Sequence, residues 1–64
     1  MVENRVNQRR LELGMTLEEL SEKCGVPVST ISEVERGREP GVCTAQDIAW
    51  ALGKPIDYLW PRYR

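Results

Sequence analysis

Apolar residues recur along this chain at helical spacing and are repeatedly interrupted by glycine. Val2, Val6 and Leu13 can share one side of a helix from about Glu3 to Leu13, with Arg9 and Arg10 beside them. Gly14 follows at the position where a helix usually turns left-handed. A second helix opens at Thr16. Thr16 and Glu19 form a T-x-x-E capping box, in which each side chain satisfies the other residue's backbone amide. Leu20 and Cys24 lie four apart and should face inward together, and Gly25 ends the helix. A third helix starts near Pro27, whose fixed φ suits a first turn and whose missing N–H is no loss there. Ile31 and Val34 make its apolar stripe, Ser29, Ser32 and Glu33 lie on its other faces, and Gly37 stops it. Residues 38–43 read as a loop. Thr44 with Asp47 repeats the cap pattern and opens a fourth helix, in which Ile48, Ala51 and Leu52 are spaced for burial. Gly53 ends it, Pro55 prevents continuation, and a short fifth helix runs from about Ile56 to Trp60. No strand-like alternation occurs. The expectation is an all-α fold of five helices forming one domain over residues 1–64.

Composition narrows this picture. A 64-residue chain has room for one compact core, and folding at this size buries only about 60% of the unfolded surface. Nine basic and ten acidic residues give a net charge of −1, with no histidine. That total lacks the basic surplus usual in nucleic-acid binders, and residues 15–37 carry five glutamates against Lys23 and Arg36. Phosphate neutralisation supplies most sequence-independent affinity for DNA, so any such function must come from where charges sit. Cys24 and Cys43 lack metal-site spacing and histidine partners, and read as two reduced thiols. No apolar run is long enough to span a membrane, and no signal-peptide core opens the chain. No nucleophile–base constellation or phosphate loop occurs. An enzyme, a cofactor, a metal site and a small-molecule ligand are therefore not expected.

The helices on either side of Gly25 are the informative unit. Two helices joined by a short glycine-containing turn form a helix-turn-helix, over about residues 16–37, whose second helix can enter the major groove of DNA. Three stretches then resemble a known family: Arg10 in RRLELG, MTLEELSEKCGVPVSTISEVERG (15–37), and DIAWALGKPIDYLW (47–60). The chain resembles the Cro/repressor, or XRE-type, helix-turn-helix family, the small five-helix domains of lambdoid phage repressors and their bacterial relatives.

The resemblance implies a compact λ-repressor-like domain and a DNA-binding transcriptional regulator. It implies a buried salt bridge between Arg10 and Glu35, which gives Glu35 a structural role. The family's groove-facing positions correspond to Pro27, Val28, Ser29, Ser32 and Glu33. Its phosphate contacts correspond to Thr16 and Leu17 at the start of the second helix, to Thr30 and Arg36, and to the loop from Arg38 to Cys43. Three departures stand out. Position 17 is commonly Gln and here is Leu17. Position 28 is often Gln or Arg and here is Val28. Position 33 is often basic or neutral and here is Glu33. The loop offers Arg38, offset by Glu39.

Each of these residues has a functional and a plain reading. Val28 can touch a thymine methyl and Glu33 can accept from a cytosine amino group, or each is an ordinary surface residue; for Glu33 the solvated reading is the stronger. Leu17, if exposed, pairs with Val28 as a small apolar patch. Arg5, Arg9, Arg36 and Arg38 are phosphate candidates, while Arg62 and Arg64 are terminal. Trp50, Tyr58, Trp60 and Tyr63 gather toward the C-terminal end, as core packing or as a dimer interface, since aromatics are enriched in interfaces. Family dimers use this end, so Ile56, Tyr58 and Trp60 are the interface candidates. The expected function is a cytoplasmic, bacterial or phage-encoded repressor that binds double-stranded DNA as a homodimer and reads an operator through the helix at about 27–36. The alternative is the same fold used for protein–protein interaction, with weak or no DNA binding.

Overall fold

The computed structural model describes residues 3–61, and among these it contains five α-helices. They are α1 (Val6–Glu12), α2 (Leu17–Cys24), α3 (Val28–Glu35), α4 (Val42–Leu52) and α5 (Ile56–Leu59). Val2, Arg62, Tyr63 and Arg64 lie outside the described residues.

The middle of the fold is α4, which packs against α1, α2 and α5, while α2 also packs against α3. Ala45, Ile48, Ala49 and Leu52 bury one stripe of α4 at spacings of three and four. Leu20, Ile31, Val34 and Val6 reach the same core from α2, α3 and α1, and Leu59 and Trp60 close it. The alanines of α4 leave room for close helix approach around the larger side chains.

Three boundaries differ from the pattern-based expectation. The first helix begins at Val6 rather than Glu3, because the preceding residues are spent on distant parts of the chain. The Arg5 amide donates to the Leu59 carbonyl at 2.8 Å. Asn4 donates through Nδ2 to the Val34 carbonyl at 2.8 Å and accepts from the Val6 amide through Oδ1 at 3.1 Å. Pro27 stands at the N-cap of α3, just outside its first turn. The fourth helix begins at Val42, with Gly41 as N-cap and no side-chain cap, so Thr44 lies inside the first turn rather than capping it. Burying Ala45 in register with Ile48 and Leu52 requires that extra half turn, and the Gly41 carbonyl accepts the Ala45 amide at 2.9 Å.

Burial also corrects two expectations. Leu13, expected on the inner side of α1 with Val6, is 41% exposed. Trp60, expected at a dimer interface, is 1% exposed and part of the core. A ring with no free surface has none to offer a partner. The exposed tryptophan is Trp50, at 71%. Trp60 Nε1 has no hydrogen-bond partner among the described residues, a desolvation cost of about 1–3 kcal/mol set against the large apolar area the indole buries.

Candidate nucleic-acid interface

The angle between α2 and α3 is set by contacts close in sequence. The capping box is complete: the Glu19 amide donates to Thr16 Oγ1 at 3.1 Å, and the Thr16 amide donates to Glu19 Oε1 at 2.9 Å. At the other end of α2, Gly25 adopts φ 77°, a left-handed conformation that side chains with a Cβ rarely take. Ser21 Oγ donates to the Val26 carbonyl at 2.6 Å and ties the turn down. Val26, one residue before the N-cap of α3, is buried with Ile31, four residues into the helix. That is the placement of a hydrophobic staple, which fixes how the chain enters a helix.

Held this way, α3 has two distinct sides. Ile31 and Val34 face the core. Ser29, Glu33 and Arg36 are exposed, at the i, i+4, i+7 spacing of the opposite face, with Ser32 half-exposed beside them. Pro27 is exposed at the entrance, and Val28 and Thr30 are half-buried. Leu17, expected to be exposed, is half-buried and packed against the core. The apolar patch expected from Leu17 and Val28 is correspondingly small.

The arginines divide by what they touch. Arg10 Nε donates to Glu35 Oε2 at 2.9 Å, and its Nη1 donates to the Met15 carbonyl at 2.8 Å. Asn7 Nδ2 adds a bond to Glu35 Oε1 at 3.1 Å. The two charged side chains are each 11% exposed, so this pair ties α1 to the back of α3. Arg9 Nε donates to the Leu52 carbonyl at 2.9 Å and Nη1 reaches Glu12 at 3.3 Å. Its charge therefore sits at the C-terminal end of α4, where a cation is favoured. Arg5 lies 4.9 Å from the Tyr58 ring centre and donates to the Tyr58 carbonyl, and Lys54 lies 4.9 Å from the same ring. Of the four arginines expected at phosphates, two are thus engaged at the α4–α5 end. Arg36 is exposed at the end of α3, and its guanidinium makes no hydrogen bond or ion pair among the described residues.

Arg38 pairs with Glu33 through Nη1 and Oε1. This contact was not read from the sequence, although a signal for it exists there. After Arg36, Gly37 takes φ 112°. The Gly37 amide then bonds the Val34 carbonyl and the Arg38 amide bonds the Glu33 carbonyl, both at 3.0 Å. This is the Schellman pattern, which brings the second residue beyond the helix back onto the third residue from its end. An acidic residue, four others with glycine at the last, and then a basic residue is the spacing that places two charges together across such a stop. Asn4 and Asn7 also escaped the sequence reading, because their partners are 30 and 28 residues away.

Residues 6–59 match the helix-turn-helix family, and the chain belongs to it. Among curated relatives, an uncharacterized HTH-type transcriptional regulator of Methanothermobacter thermautotrophicus is 46% identical over 50 residues, covering 77% of this chain and 72% of that protein. An uncharacterized transcriptional regulator in the ATPase CF(0) region of Rhodospirillum rubrum is 38% identical over an alignment of 76 positions, covering 95% of this chain and 70% of that protein.

Proposed function

We propose that this chain is a sequence-specific DNA-binding transcriptional regulator that places α3 in the major groove, binds an operator as a homodimer and acts as a repressor. The observation that carries the reading is the outward face of α3. Ser29 and Ser32 offer short hydroxyls that donate to or accept from base edges, and they stand opposite the Ile31–Val34 stripe that anchors the helix. Arg36, exposed and without a side-chain partner among the described residues, closes the face with a cation suited to a phosphate. At the start of α2, Thr16 Oγ1 accepts the Glu19 amide, which leaves its own O–H to donate. Leu17 lacks a polar side chain, but its amide lies in the first turn, where backbone N–H groups and the helix dipole favour an anion. Two protomers would read half-sites about one helical turn apart, with Ile56 and Tyr58 as the remaining interface candidates. Few cations are free to meet phosphates, so affinity should be modest and the salt dependence shallow.

The test is selection from random duplex DNA at low salt, followed by titration of the enriched site against salt. An enriched two-fold motif is expected. Recovery of no motif would sink the sequence-specific reading and leave protein–protein interaction as the use of the fold. Arg36→Ala should weaken binding about equally on all sequences and lower the salt slope by about one.

A further inference from the structure

On the DNA-binding reading above, we propose that Glu33 is a tether for Arg38, holding one of the two cations between α3 and α4 and so lowering the protein's affinity for the phosphate backbone. The inference rests on the helix stop rather than on a chance meeting of two surface side chains. Gly37 in a positive-φ conformation and the bond from the Arg38 amide to the Glu33 carbonyl fold residue 38 back over residue 33. A contact between these two positions, commonly apolar, accompanies this motif; here it is an ion pair. The backbone therefore places Arg38 beside Glu33 before any ligand arrives.

Both groups lie on the side of the protein where α3 would meet DNA. Glu33 shares the outward face with Ser29 and Arg36, and Arg38 is 61% exposed by side chain. A phosphate reached by Arg38 must compete with the Glu33 carboxylate. This competition opposes binding and does not depend on base sequence. Glu33 is thus a residue that sets affinity, and its distinct alternative role, accepting from a cytosine amino group, predicts the opposite response to substitution.

The experiment compares the intact protein with Glu33→Gln, Arg38→Ala and the double variant, on the selected duplex and on a scrambled duplex of equal length, over a range of salt. Glutamine keeps the size of the side chain and removes its charge. Glu33→Gln is expected to tighten binding to both duplexes by roughly two- to five-fold, the range of an exposed ion pair. It should also steepen the salt slope by up to about one. Adding Arg38→Ala to Glu33→Gln should abolish most of that gain. Weaker binding of Glu33→Gln, or an altered preference at one base pair, would overturn the proposal in favour of base reading. So would unchanged affinity, or a gain that survives removal of Arg38, since the latter would reflect general repulsion by Glu33. If the parent protein binds no duplex at any salt, the DNA-binding reading itself falls and this one with it; if the parent binds and only the Glu33 responses fail, the tether alone is refuted.

Discussion

Glu33 and Glu35 leave α3 two residues apart, and each meets an arginine from another segment. The chemistry is the same and the settings are opposite. At about 100° per residue the two carboxylates emerge on different sides of the helix. Glu35 turns inward, where it and Arg10 are 11% exposed and both Arg10 and Asn7 donate to the carboxylate. Glu33 turns outward, where it and Arg38 are 53% and 61% exposed. Water screens the outer pair, so it contributes little to stability and stays open to competition from a ligand. The inner pair is shielded, so either charge left alone would be stranded. One helix thus carries an ion pair that holds the fold together and another suited to adjusting binding, and burial alone separates them.

The largest effect that could break this comparison is on the inner pair. Glu35→Ala or Arg10→Ala should cost about 3–5 kcal/mol, because each strands a poorly solvated charge. A domain of this size has only roughly 3–10 kcal/mol in total, so both variants should be close to unfolding in thermal melts followed by circular dichroism. A loss below about 1 kcal/mol would show that Glu35 is solvated like Glu33. Next in size is Gly37→Ala, which forces a Cβ into a positive-φ position and should cost about 1–2 kcal/mol. Because that glycine builds the stop that brings Arg38 to Glu33, the variant should also weaken coupling between them; unaltered coupling would mean that the pair does not depend on the stop.

Thr16→Ala removes half of the capping box and should cost about 1 kcal/mol, read as a fall in Tm of roughly 4–8 °C. Retained stability would show that α2 is held by packing alone. The smallest effect is a double-mutant cycle on Glu33 and Arg38, with an expected coupling of about 0.2–1 kcal/mol in stability, decreasing with added salt. The same cycle on Arg10 and Glu35 should give a coupling several times larger and nearly salt-independent. Equal couplings would erase the distinction between the two sides of α3.

Much of the scaffold was legible because its signals are local. The Thr16–Glu19 box, the glycine stops and the Ile31–Val34 stripe involve partners three to five residues apart, and the described residues have five helices in the expected order. The Arg10–Glu35 pair was expected only through family resemblance, since nothing in a 25-residue separation announces a contact. Its observed geometry supplies the physical reason that Glu35 belongs to the interior. The outward positions of Ser29, Ser32 and Glu33 followed from helical phase once Ile31 and Val34 were placed inside.

Tertiary packing decided the rest. Trp50 and Trp60 look alike in the sequence, yet one is 71% exposed and the other 1%. The burial spacing of Ile48, Ala51 and Leu52 already turns Trp50 outward, whereas Trp60 is buried only because the turn after α5 closes over the core. Arg9 resembles any surface arginine until the end of α4 arrives beside it with an open carbonyl at Leu52. Arg5 likewise acquires Tyr58 from 53 residues away. Sequence by itself determined how many helices form, their order and where glycine stops them, because those choices are made by hydrogen bonds within a turn or two of the chain. Only the folded structure decided which charges remain free for a partner, because a side chain is engaged or released by groups that the chain brings to it from far away.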